Sequence, residues 1–133
     1  MEITVKELER TDVIAVRGRL ERFTITELTQ ALEASHQRGK YNLVIDMSQV
    51  EYMSSAGFRE LLNAQRHNKR DHRGELILAR VPDQIRQALE LTGITDFFRA
   101  FDDLSAAVEY AAGLPGDPTT DAPPPEDKKR KGM

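Results

Sequence analysis

The stretch that decides the fold is Leu43-Val-Ile-Asp-Met-Ser-Gln-Val-Glu-Tyr-Met-Ser-Ser-Ala-Gly-Phe-Arg-Glu-Leu-Leu62. Leu43, Val44, Ile45 and Met47 form a compact apolar run of the kind needed by a central strand covered on both sides. A polar loop is expected to follow the strand. The small-residue turn Ser54-Ser55-Ala56-Gly57 then opens a helix, with Phe58, Leu61 and Leu62 on one face at i, i+3 and i+4. Strand, loop, helix is the unit from which a parallel sheet is built.

Working outward, the pattern repeats. Ile3, Val5 and Leu8 alternate loosely as a first strand, and Val13 to Val16 form a second, more buried one ending at Gly18. The short Arg10-Thr11-Asp12 link makes these two an antiparallel hairpin. Thr24 and Glu27 predict a capping box, and Phe23 with Leu28 a hydrophobic staple. The helix they start has Ile25, Leu28 and Leu32 on its apolar face and ends at Gly39. After the central unit, Gly74 precedes a strand over Leu76–Ala79. Pro82 opens a helix with Ile85, Ala88 and Leu89 inward, stopped by Gly93. Phe97, Phe98 and Phe101 mark a short last strand, and Leu104, Ala107, Val108 and Ala111 a closing helix. The order ββαβαβαβα predicts an α/β fold. Its mixed, mostly parallel sheet has about five strands and packs with about four helices.

Composition sets the limits. The chain has 133 residues, enough for one domain, with 31% charged and 39% hydrophobic residues. Five of its six prolines follow Gly113, so 1–112 reads as the folded domain and 113–133 as a disordered, Pro-rich, charged C-terminal tail. The terminal Lys128-Lys-Arg-Lys131 reads as solvated, or as touching an anionic surface. No secretory signal and no apolar run long enough to span a bilayer are present, which points to a cytoplasmic protein. There is no cysteine, so disulfides, thiolate metal sites and Cys nucleophiles are excluded. A net charge of −3 does not favour a nucleic-acid groove.

Chemistry gathers at the carboxyl ends of strands in open α/β sheets. Free N–H groups and the positive end of the helix dipole lie at Ser54–Gly57, so a phosphate on Ser54 or Ser55 would be stabilised there. Equally, these serines do no more than cap the helix. Asp46 either orients the Ser55 loop or is a plain loop-capping acid. His36, His67 and His72 read as solvated surface residues: His67 and His72 are five apart, not the i, i+4 spacing of a helical zinc pair. Neither Ser54 nor Ser55 sits in a Gly-x-Ser-x-Gly elbow, which argues against a hydrolase. The bases of Arg66–Arg73 complement the helix dipole or steer an acidic partner.

The run over 43–62 resembles the signature of the STAS domain, the fold of bacterial anti-sigma factor antagonists. Gly18-Arg19-Leu20-Glu21 resembles the family's Gly-x-Leu-Asp, with Glu21 in place of Asp. Leu89-Glu-Leu-Thr-Gly-Ile94, with Phe97 and the Ala106-Ala107 helix, is similar to its C-terminal half. The resemblance covers about 1–110. It implies that Ser55 is the phosphoacceptor, with Ser54, standing where many members have Asp, as an alternative. It also implies a partner switch. The unphosphorylated domain binds an anti-sigma factor that is itself a serine kinase and so releases a sigma factor, and a PP2C-type phosphatase resets the switch. Glu21, Met53, Ser54, Ser55, Ala56, Gly57, Phe58 and Arg59 would form the docking surface, with Glu60 tuning its charge, and Phe58 is equally suited to the core. ATP and Mg²⁺ would belong to the kinase. The chain itself would be no enzyme, would need no metal or cofactor, and would be a monomer or weak dimer. The other reading is a non-phosphorylated STAS scaffold or ligand-sensing module in a larger, stressosome-like or transport assembly.

Overall fold

The computed structural model describes residues 1–115. Five strands and four α-helices follow in the order β1 (Glu2–Glu7), β2 (Asp12–Leu20), α1 (Ile25–Gln37), β3 (Leu43–Met53), α2 (Ser55–His72), β4 (Leu76–Ala79), α3 (Asp83–Thr92), β5 (Arg99–Phe101) and α4 (Leu104–Gly113). A 3-10 turn, Ile94–Phe97, lies between α3 and β5. The sheet order is β1-β2-β3-β4-β5. β1 is antiparallel to β2 and every other neighbour is parallel.

Alternation along the central strands sends side chains to two cores. Leu43, Ile45 and Met47 of β3, with Leu76 and Leu78 of β4, join Leu28, Leu32, Leu61, Ile85 and Leu89 under α1, α2 and α3. Val44, Ile77 and Ala79 point the other way, onto Ala107 and Ala111 of α4. Small residues on α4 let that helix lie close to the sheet, and Leu104 and Val108 close its flanks.

Several local expectations are corrected. The polar loop after Met47 is strand: β3 runs on to Met53. Register shifts against β2, between Ala15 and Arg17 and between Gly18 and Arg19, each insert an extra β3 residue. Burial in this half of β3 therefore recurs at Met47, Val50 and Met53, every third residue, and no period-2 pattern survives to signal a strand. β2 likewise continues through Gly18 to Leu20. Gly18 has φ 111°, a conformation that favours glycine, and a Cβ there would lie 3.3 Å from the Met1 Cα.

No capping box forms at Thr24, whose hydroxyl donates to the Arg19 carbonyl (2.6 Å) and accepts from the Glu21 N–H (2.9 Å). Phe23 is 87% exposed and staples nothing. The last strand is Arg99–Phe101; Phe97 belongs to the 3-10 turn and Phe98 to the core. α4 continues through Gly113, and residues 116–133, most of the expected tail, lie outside the described residues.

Candidate functional site

The site forms where the long ends of β2 and β3 overhang the short β4. Leu20 is the register partner of Met53, the last residue of β3. The Ser54 N–H donates to the Leu20 carbonyl at 3.0 Å, so the start of α2 is tied to the end of β2. Gly57 then rests on the same carbonyl: a Cβ at that position would lie 2.6 Å from the Leu20 oxygen. Any larger residue would push the helix start off the strand.

The two serines divide the work. Ser54 is the N-cap, in extended conformation, and its Oγ accepts from the Gly57 N–H at 3.1 Å. Ser55 is the first residue of α2 and is exposed. The first N–H groups of a helix have no intrahelical acceptor. Ser54 takes that of Gly57, which leaves Ser55 and Ala56 as donors beside the Ser55 hydroxyl.

Around this point the fold gathers most of the residues expected in the surface. Met53 and Gly57 are buried beneath it, Ala56 is half-buried and Arg59 exposed. Phe58 is half-buried and packs against the larger core, so its main role is structural. Glu21 joins from the β2–α1 turn, its carboxylate 3.2 Å from the Arg19 guanidinium, which in turn lies 4.2 Å from the Tyr52 ring centre. Arg22, Thr26 and Thr29 of the α1 side face Ala56, Arg59 and Glu60 across a shallow groove. Arg19 and Tyr52 escaped the sequence reading because the register shifts between β2 and β3 hide which residues pair, and Arg22 because only the folded chain brings the β2–α1 turn opposite α2.

Asp46 does not reach Ser55. It is buried in mid-strand, where its Oδ1 accepts from the Ser48 N–H (3.1 Å) and its Oδ2 from Arg80 (2.6 Å). Burial alone would raise its pKa, but Arg80 and Ser48 outweigh burial and hold it below the usual carboxylate value. The histidines also differ from expectation. His36 and His72 are half-buried between α1 and α2, with ring centres 4.2 Å apart, and both stack on Tyr41; only His67 is exposed. Burial, followed by the neighbouring His72, lowers the pKa of His36. In the basic run, Arg66 lies over the Phe97 ring and Arg70 pairs with Asp71, while Lys69 and Arg70 occupy the last turn of α2.

Geometry of this kind defines an α/β domain with a mixed sheet and a serine hydroxyl displayed at a helix start. The family described as "Mlab, STAS domain" matches residues 3–104, and the chain belongs to the STAS-domain family. Among its relatives, BtrV of Bordetella bronchiseptica is 25% identical over 116 residues, covering 86% of this chain and 99% of BtrV. The anti-sigma-B factor antagonist of Listeria monocytogenes is 28% identical over 96 residues, covering 72% of this chain and 82% of its own. The fold is also that of SpoIIAA. The unphosphorylated form superposes with a TM-score of 0.69 at 15% identity, covering 85% of this chain and 98% of that one. The phosphorylated form from Bacillus gives 0.63 at 16% identity, covering 82% and 98%.

Proposed function

We propose that this chain is an anti-sigma factor antagonist whose docking surface is switched by phosphorylation of Ser55. The single observation that carries the reading is the division of labour at the α2 start: Ser54 supplies the cap, which frees the exposed Ser55 hydroxyl for modification. Unphosphorylated, the surface of Glu21, Ser54, Ser55, Ala56 and Arg59, supported from beneath by Met53 and Gly57, binds an anti-sigma factor with serine kinase activity, and a sigma factor is released. A phosphate adds about −1.5 to −2 charges at the centre of that contact. The domain tolerates this charge, because the helix dipole and the free N–H groups of Ser55 and Ala56 favour an anion. The partner does not, because a surface fitted to a neutral hydroxyl must now desolvate a dianion at a cost of several kcal/mol. The affinity loss therefore needs no refolding. A PP2C-type phosphatase reverses it, and the chain acts in the cytoplasm as a regulator rather than as an enzyme.

The test is incubation with Mg-ATP and a cognate anti-sigma factor that has serine kinase activity. Intact mass is expected to rise by one phosphate, Ser55→Ala to abolish the gain and Ser54→Ala to keep it. Ser55→Glu is expected to lose binding to the same partner. Equal binding by Ser55→Glu and the unmodified chain would overturn the reading.

A second reading, a STAS scaffold or ligand-sensing module in a larger assembly, is favoured by a groove between α1 and α2. Glu33, His36, His67 and Asn68 line it, and its volume is about 220 Å³. A co-purified nucleotide or lipid, or a large species in light scattering, would select that reading.

A further inference from the structure

β1 is an outer strand of the sheet, hydrogen-bonded to β2 on one side only, and Glu2, Thr4, Val5, Lys6 and Glu7 are exposed. An open edge of six residues is a template for another strand. What sets this edge apart is its charge pattern, Glu2-Ile-Thr-Val-Lys-Glu7. Laid antiparallel against a second copy of itself and centred on Thr4, the strand places Glu2 opposite Lys6 of the other copy and Lys6 opposite its Glu2. Ile3 meets Val5, Val5 meets Ile3, and the two Thr4 residues face each other.

Every cross-strand pair from residue 2 to residue 6 is then favourable: two opposite-charge pairs, two aliphatic pairs and one Thr–Thr pair. The apolar side of the strip is also unfinished within one copy. Ile3 is half-buried against the larger core, whereas Val5 on the same face is 36% exposed. An Ile3 from the second copy would cover it.

We propose that β1 is a self-association edge, through which two copies of this chain join their sheets about a two-fold axis at Thr4. The interface is isologous, as closed dimers require. It is small, a single strand pair, so the dimer is a weak and concentration-dependent one. Because the paired strands run in opposite directions, the carboxyl ends of the two β2 strands point away from each other. Both Ser55 surfaces stay open, and the inference does not depend on what they bind.

The experiment is sedimentation equilibrium of the full chain, without an N-terminal tag, from the low micromolar to the high hundreds of micromolar range. A monomer–dimer equilibrium is expected. Lys6→Glu sets Glu against Glu at both ends of the pair and should weaken dimerisation roughly tenfold or more. Glu2→Lys should weaken it similarly by setting Lys against Lys. The double variant Glu2→Lys with Lys6→Glu should restore it, since the pairs re-form with their signs exchanged. Circular dichroism melts identify a variant that fails to fold, and the other single variant then decides. A chain that stays monomeric throughout, single variants that dimerise like the unmodified chain, or a double variant that fails to recover would each overturn the proposal.

Discussion

Replacing Ser54 by Ala removes the oxygen that accepts from the Gly57 N–H, whereas replacing Ser55 by Ala removes nothing that the fold uses. Loss of an N-cap costs about 1 kcal/mol. Ser54→Ala is therefore expected to lower the melting temperature by a few degrees, and Ser55→Ala to leave it unchanged within error. Differential scanning calorimetry of both variants checks this. The contrast matters because two adjacent serines could otherwise exchange roles in any phosphorylation assay. Gly57 permits a sharper test. Its substitution by Ala drives a Cβ to 2.6 Å from the Leu20 carbonyl, a backbone group that cannot swing aside. A loss of about 1–3 kcal/mol is expected in chemical denaturation, with weaker partner binding as the α2 start moves.

At the scale of elements, two contacts join helices to the sheet and to each other, and both titrate. Asp12 begins β2 and is fully buried. Its Oδ2 accepts from the Ser35 hydroxyl (2.7 Å) and from Arg38 (2.6 Å), and its Oδ1 from Lys40 (3.0 Å), which pins the end of α1 to the strand. Burial works to raise its pKa, but these three partners prevail and keep it below 3.8. The stability this lends is present above 3.8 and is lost as pH falls through the lower folded value. Asp12→Ala leaves the partly buried Lys40 without its carboxylate and should cost about 3 kcal/mol at neutral pH, measured by urea denaturation.

The His36–His72 stack between α1 and α2 behaves differently. Burial and then His72 depress His36 below 6.5, with His67 adding to the effect, while Asn68 and Glu33 oppose it. The unfolded chain consequently takes up more protons as pH falls. Stability is full above 6.5 and declines as pH drops towards the folded value, below which the loss stops growing. A pH series of thermal melts from about 7.5 to about 5 is expected to show this decline in the unmodified chain and to flatten in His36→Gln.

For the whole molecule, both apolar cores are assembled by Leu114. The last protein group engaged by a side chain among the described residues is the Pro115 carbonyl, which accepts from Asn42. Removing residues 116–133 is therefore expected to leave the melting temperature unchanged within about a degree. A drop of several degrees would show that those residues pack on the domain.

Order and type of the main elements were legible in the sequence because each apolar period was long enough to be read. The run Leu43–Met47, the i, i+3, i+4 face of α2, and Gly93 after α3 all reflect burial or backbone demands that are local. The start of the site was legible too, since small residues ahead of an amphipathic helix mark a helix N-terminus whatever surrounds it. Other features only the folded chain could decide. Two bulges turned the end of β3 from an apparent loop into strand, because their register depends on β2, some 30 residues away. Which serine caps and which is displayed was decided by the Leu20 carbonyl, which holds the Ser54 N–H and leaves room for nothing larger than Gly57. Histidines that look like surface residues became a half-buried stack because α1 and α2 meet there. Local periodicity is a property of a segment; register, capping and burial are properties of the pairs that segments form.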